Sequence, residues 1–183
     1  DLVAMLGAVI RPTAENVATR ELVWSLGIAS VPALSVGFFA AAWVSENLRS
    51  PQIIATTTLV FALLLWQADV WGRRVLNIDS LRWPKALLIG LMQVAALIPG
   101  TSRAGVTMTA GLWLGLSREA AARFSFLLAI PVLSGAGGYS VLELLRDQPS
   151  HFNAGVFLFA AVISALIALL TVHGFVRLVG RVG

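Results

Sequence analysis

Long apolar runs alternate with short polar stretches along the chain, and the run lengths predict the elements. Leu22–Val44 holds about 23 residues without a charge, enough for a helix to cross a hydrocarbon core of about 30 Å. Pro32 lies inside it and predicts a kink. Gln52–Ala68 is a second span, near the minimum length at about 17 residues. Ala120–Leu145, which contains Pro131, and Ala154–Val176 are two more. Leu2–Ile10 reads as the last turns of a further membrane helix, broken by Arg11-Pro12. Polar loops are predicted at Thr13–Glu21, Ser45–Pro51, Asp69–Lys85 and Arg146–Asn153.

One pair of runs does not fit this scheme. Ala86–Ile98 and Val106–Leu116 are apolar, but as helices they measure only roughly 20 Å and 17 Å. Neither crosses a bilayer alone, and Pro99–Gly105 interrupts them with a proline, two glycines and Arg103. The pattern predicts a re-entrant hairpin, two half-helices that enter and leave on one side. Irregular backbone at that depth is tolerated only inside protein or against a wet cavity.

Composition places the whole chain in one class. Of 183 residues, 58% are hydrophobic and 12% charged, and the mean hydropathy is +0.86. Soluble domains carry about 25% charged residues. Continuous apolar runs also exclude the alternation of a β-barrel. The expectation is an all-α polytopic transmembrane bundle, with residues 1–183 forming a single membrane domain. The chain opens on a run too short to span and stops directly after a helix, so sequence is expected beyond both ends. Cysteine is absent, which removes disulfides and thiolate chemistry. The net charge of +4 lies between apolar runs and reads as topology signal, so no nucleic-acid partner is expected.

The cations support the hairpin. If it returns to its own side, Arg11, Arg20, Arg73, Arg74, Arg82, Lys85, Arg118, Arg123, Arg177 and Arg181 share one face. Only Arg49 and Arg146 fall on the other, ten against two. A single continuous span would move Arg118 and Arg123 across and weaken that bias. Trp66, Trp71 and Trp83 flank the Asp69–Lys85 loop as interfacial aromatics do. The tip of the hairpin then points from the cytoplasmic side toward the outer half of the membrane.

At that tip the residue types favour an anion. Gly100 and Gly105 let the backbone turn and approach a ligand. Thr101, Ser102 and Thr107 bring hydroxyls, and the second half-helix begins near Ser102–Ala104 with free N–H groups and a positive dipole end. Arg103 adds a planar fork suited to phosphate oxygens. The bland alternative is that Ser102 only caps a helix and Arg103 pairs with a buried carboxylate. Intramembrane charges are more often functional. Elsewhere, the small-residue patch Ser134–Gly138 predicts close helix approach. Glu119 with Arg123 and Glu143 with Arg146 are spaced for surface ion pairs. His151 reads as a loop residue and His173 as an interfacial one, too far apart to form a local ligand pair.

Pro99-Gly100-Thr101-Ser102-Arg103-Ala104-Gly105-Val106-Thr107 resembles the PG-x-SRSG-x-T motif of the bacterial undecaprenyl-diphosphate phosphatases, the bacitracin-resistance family. Ala122–Pro131 resembles the same family's FSFLLAIP helix, in the same order and spacing. The likeness runs from about Arg20 to the end of the chain. It implies an inverted-repeat helical membrane fold with two re-entrant hairpins meeting at a midplane site. It also implies hydrolysis of a prenyl diphosphate, recycling of the lipid carrier for cell-wall synthesis, and Mg²⁺ or Ca²⁺ as cofactor. The expected location is the bacterial inner membrane, and a homodimer is compatible with the resemblance. On the matching motif Arg103, Ser102 and Thr107 are the expected catalytic residues, and Gly100, Thr101 and Gly105 bind substrate. Ala104 stands where the family carries a second serine. The family's metal-binding and acid–base motif has no counterpart here and is expected in a preceding segment. The competing readings are a transporter or lipid flippase using the hairpin as a headgroup site, and a structural scaffold.

Overall fold

The computed structural model describes residues 5, 7, 17–72, 75–147 and 153–182. Among the described residues, six α-helices with defined bounds follow in order: α1 Val17–Asn47, α2 Pro51–Trp71, α3 Trp83–Gln93, α4 Arg103–Trp113, α5 Arg118–Asp147 and α6 Ala154–Val182. Short 3₁₀ turns occupy Ile78–Ser80 and Val94–Leu97. Among the described residues there is no β-strand, only an isolated bridge between Leu76 and Leu116.

The long helices match the apolar runs but overshoot them. Val17–Glu21 was expected in a loop and is helix. Arg20 and Glu21 are good helix formers on an exposed first turn, and Glu21 is held by Arg82 Nη1 at 3.3 Å. Asp69–Trp71 and Trp83–Lys85, also expected in a loop, are likewise helical. Apolar run length marks the buried or lipid-facing part of a helix, whereas backbone hydrogen bonding continues past it. Both α1 and α5 run unbroken through Pro32 and Pro131. Of the Leu2–Ile10 prediction, only Met5 and Gly7 are described, both helical. Arg11, Arg73, Arg74 and His151 lie outside the described residues.

Among the described residues, four helices are long and apolar enough to cross a membrane, at 17–40, 51–71, 118–144 and 155–175. This is a membrane protein. None of the residues of the last span is buried within the chain, and 6% of the second. The core lies instead around the two short helices. Ala86, Ile89, Gly90 and Gln93 form a buried stripe on α3, and Val106, Thr107, Thr109, Ala110, Gly111 and Leu112 are buried on α4. Of these, Ala86, Ile89, Ala110 and Leu112 share one core with Leu26 and Ala29 of α1 and Ala121, Phe124 and Leu128 of α5. Short helices whose ends leave backbone groups unpaired need this cover more than the long ones do.

Close approach is provided by Gly90 and, in the predicted small-residue patch, by Gly135. A Cβ on Gly90 would sit 2.7 Å from Ala29 Cα, so α3 lies directly on the α1 backbone. In the patch, Gly135 approaches the side chain of Leu34, while Gly137 and Gly138 face open space. Glycine permits approach, but a facing helix must be present to use it. Nor do Glu119–Arg123 or Glu143–Arg146 form ion pairs among the described residues. Arg118, the neighbour of Glu119, bonds Asp69 across helices instead.

The chain closes on itself at the base of the short helices. The backbone N–H groups of Val75 and Leu76 donate to the Gly115 carbonyl, and Ser117 N–H donates to the Leu76 carbonyl at 2.9 Å. Lys85 Nζ reaches the Leu114 carbonyl at 3.4 Å, at the end of α4. Gly115 makes the turn at φ +92°, which a side chain would resist. The segment that enters α3 therefore lies beside the segment that leaves α4.

Candidate active site

The site is the break between α3 and α4. After Gln93 the chain tightens into the 3₁₀ turn Val94–Leu97, then Ile98 becomes extended at φ −72°, ψ 125°. Proline at 99 cannot donate a helical hydrogen bond and disfavours helix before it. Gly100 turns at φ +89°. A Cβ there would meet the Ile54 carbonyl and would lie 2.9 Å from Ile54 Cα, so the tip rests against α2. Two α2 hydroxyls fasten it: Thr57 Oγ1 donates to the Pro99 carbonyl at 2.7 Å and Thr58 Oγ1 to the Gly100 carbonyl at 2.9 Å.

Ser102 begins α4. Its Oγ accepts the Gly105 N–H at 3.2 Å, so the capping role weighed from the sequence is present. An accepting hydroxyl keeps its own proton, and Ser102 Oγ remains able to donate to a ligand. Gly105 packs under that cap; a Cβ there would lie 3.2 Å from Ser102 Cβ.

Arg103 follows at the first turn of α4 and is half-buried. Its partner is a neutral amide: Nε donates to Gln93 Oε1 at 3.1 Å. No carboxylate lies within ion-pair distance of Arg103 among the described residues. Among the described residues, three buried polar atoms at the break have no hydrogen-bond partner: Arg103 Nη2, Gln93 Nε2 and Thr101 Oγ1. Each can donate, and buried donors without partners are strongly disfavoured unless a ligand or water completes them. A preformed set of donors beside a cation and a helix N-terminus suits an anion carrying several oxygens.

Thr107 stands apart from this set. It is buried one turn behind Arg103, where its hydroxyl bonds the Arg103 and Ala104 carbonyls at 3.1 Å and lies 2.6 Å from Ser125 Oγ. Thr107 thus ties α4 to α5 beneath the site. Of the six sequence candidates, Gly100, Thr101, Ser102, Arg103 and Gly105 share the tip, and Thr107 supports it from below.

Four side chains were missed: Gln93, Thr57, Thr58 and Ser125. Gln93 left a usable signal, a polar residue on the otherwise apolar i, i+3, i+4, i+7 stripe of α3. The threonines had no periodic signal, because a hydroxyl inside a span usually bonds its own helix.

A divalent cation does not fit the tip. Mg²⁺ and Ca²⁺ take hard oxygen ligands, usually carboxylates. The side chains here are a guanidinium, an amide and hydroxyls, and no three His, Cys, Asp or Glu side chains come together among the described residues. A cavity of about 100 Å³ lies at the opposite, basal end of the hairpin, with Leu22, Asp79 and Arg123 on its wall. The Asp79 carboxylate opposes an anion there.

The family described as bacitracin resistance protein BacA matches residues 1–183. An undecaprenyl-diphosphatase of Alteromonas mediterranea is 45% identical over 163 residues, covering 89% of this chain and 61% of that protein. One of Thioalkalivibrio sulfidiphilus is 40% identical over 88% of this chain and 60% of its own. Undecaprenyl-diphosphatase 2 of Stutzerimonas stutzeri is 46% identical over 92% and 63%. The chain thus spans about three-fifths of the length of these relatives.

Proposed function

The chain belongs to the bacitracin resistance protein BacA family, and on that premise we propose that it carries half of the active site of a membrane phosphatase. The proposed reaction hydrolyses undecaprenyl diphosphate to undecaprenyl phosphate and inorganic phosphate. That product is the lipid carrier recycled in cell-wall synthesis, and its regeneration accounts for bacitracin resistance. The observation that carries the reading is Arg103, a half-buried cation with no carboxylate partner among the described residues, at a break where Arg103 Nη2, Gln93 Nε2 and Thr101 Oγ1 are buried donors without acceptors.

Phosphoryl transfer depends mainly on positioning and charge stabilisation. The diphosphate headgroup supplies the acceptors that Arg103 and its neighbours lack. Oxygen of the attacking group forms a bond to the terminal phosphorus, and the bond from that phosphorus to the bridging oxygen breaks. Negative charge grows on the bridging oxygen and on the transferred group. Arg103 and the α4 N-terminus stabilise that charge in a site of low dielectric. Thr57 and Thr58 fix the backbone carbonyls of the tip, so the donors need not reorganise. The Mg²⁺ or Ca²⁺ implied by family resemblance has no carboxylate at this tip, and none of these steps runs through it.

We place the protein in the bacterial inner membrane with the hairpin re-entrant from the cytoplasmic side. Asp69, near the base, and Thr57, at the tip, are twelve residues apart on α2, or about 18 Å. Thr57 is only about 9 Å from Pro51 at the far end of α2. The hairpin therefore reaches the outer half of the span, where the headgroup of the outer leaflet is closest.

The test is phosphate release from farnesyl or undecaprenyl diphosphate in detergent, with Mg²⁺ or Ca²⁺. This chain is compared with a version extended upstream to the length of its relatives. Turnover by the extended protein alone supports the half-site reading. No phosphate from either folded protein overturns it and favours a lipid or anion carrier.

A further inference from the structure

We infer that Gln93 is a direct anion-contacting residue, its amide N–H groups donating to the same phosphate oxygens that Arg103 holds. The inference rests on the phosphatase reading for the identity of the ligand, but not for the geometry.

Gln93 ends α3 and is 1% exposed. An apolar residue would fill that stripe position more cheaply, so the amide needs a reason. Part of the reason is Arg103. Its Nε can only donate, so the Gln93 carbonyl must face it, and the amide nitrogen must point elsewhere. That nitrogen carries two N–H groups, is buried, and has no partner.

The two unpartnered nitrogens flank one hydrogen bond. Gln93 Nε2 and Arg103 Nη2 each lie two bonds from an atom of the Nε–Oε1 hydrogen bond. Because Nε is occupied by Gln93, the guanidinium is left to grip a ligand through its Nη nitrogens. An oxygen-rich anion seated against them comes within reach of the Gln93 amide. One carbonyl therefore sets the arginine and one amide extends its donor array.

The test uses the full-length protein and inorganic pyrophosphate as the probe, with binding read calorimetrically and without turnover. Gln93→Met keeps the length of the side chain and removes both its donor and its acceptor. Binding should weaken about tenfold or more, the weight of a lost hydrogen bond to a charged group. The same change is then made in Arg103→Lys, which has no Nε to be positioned. A further loss of at least about threefold there, in the range of a single hydrogen bond, establishes a contact of its own. No further loss means that Gln93 acts only through Arg103, and the proposed contact falls. It also falls if Gln93→Met binds within about twofold of wild type, less than one hydrogen bond is worth. Met removes the unpartnered amide nitrogen but also the acceptor of Arg103 Nε, so Tm without ligand should fall by no more than that one hydrogen bond is worth. A larger drop in Tm assigns Gln93 to the fold and overturns the inference. A protein that binds pyrophosphate through Gln93 but releases no phosphate defeats only the phosphatase reading.

Discussion

Arg118 and Asp69 form a two-pronged bridge, Nε to Oδ1 at 2.6 Å and Nη2 to Oδ2 at 2.6 Å. It joins the first residue of α5 to the last turns of α2, beside the base of the hairpin. Parallel N–H···O bonds of this kind fix direction as well as distance. Both side chains are about one-third exposed, so solvent screens part of the attraction. Asp69→Asn should lower Tm in a detergent unfolding assay, with kcat kept within a few-fold. Arg118→Lys should lose most of the same amount, because an ammonium cannot reproduce the fork. A kcat collapse in Asp69→Asn would place Asp69 in the chemistry instead.

Arg103→Ala should abolish turnover and leave the protein folded. Retention of more than about a tenth of wild-type kcat, about 1.4 kcal/mol of barrier, would sink the assigned role. Arg103→Lys should also be poor, since Gln93 Oε1 accepts from a nitrogen that lysine lacks.

The α2 threonines offer a test that leaves the residues of the tip itself untouched. Thr57→Val with Thr58→Val removes the hydroxyls that hold the Pro99 and Gly100 carbonyls. Each bond is worth about 1 kcal/mol, so the pair should cost about 2 kcal/mol in stability. The loosened tip should also lower kcat/KM, read by phosphate release from farnesyl diphosphate. Unchanged kinetics would show that the tip is set by its own sequence and not by α2.

Gly100→Ala meets two obstacles at once. The residue sits at φ +89°, and the new Cβ would press on the Ile54 backbone. The left-handed conformation alone costs about 1–2 kcal/mol. The tip must then lift from α2, so activity should be lost even where the protein remains folded. Gly105→Ala is the control, because its Cβ would meet only the Ser102 side chain at 3.2 Å. Equal activity in the two variants would show that seating on α2 is dispensable.

Ala104→Ser restores the hydroxyl of the resembled motif. Ala104 is half-buried on the first turn of α4, and its carbonyl already accepts from Thr107. Stability should hold within about 0.5 kcal/mol, the usual range for a change that disturbs no packing. Binding of inorganic pyrophosphate should tighten. Weaker binding would mean that the site is fitted to alanine.

The membrane class, the four spans, the short broken pair and the grouping of Gly100, Thr101, Ser102 and Arg103 at the break were all legible in the order of residues. The reason is local. Span length against bilayer thickness, Pro-Gly interruption and a charge inside an apolar run are each read over fewer than about 25 residues. Helix ends were misplaced at Glu21 and Asp69 because hydrogen bonding runs past the apolar stretch. What tertiary structure alone decided is which distant residues meet. Sequence spacing shows neither that Thr57 reaches Pro99, nor that Thr107 turns inward to Ser125, nor that Gly90 rather than Gly137 carries a close approach. It placed Gln93 in an apolar run, where only the folded-back hairpin brings its amide to Arg103. Those relations depend on helices separated in sequence and brought together by burial, which acts on surfaces and carries no sequence address.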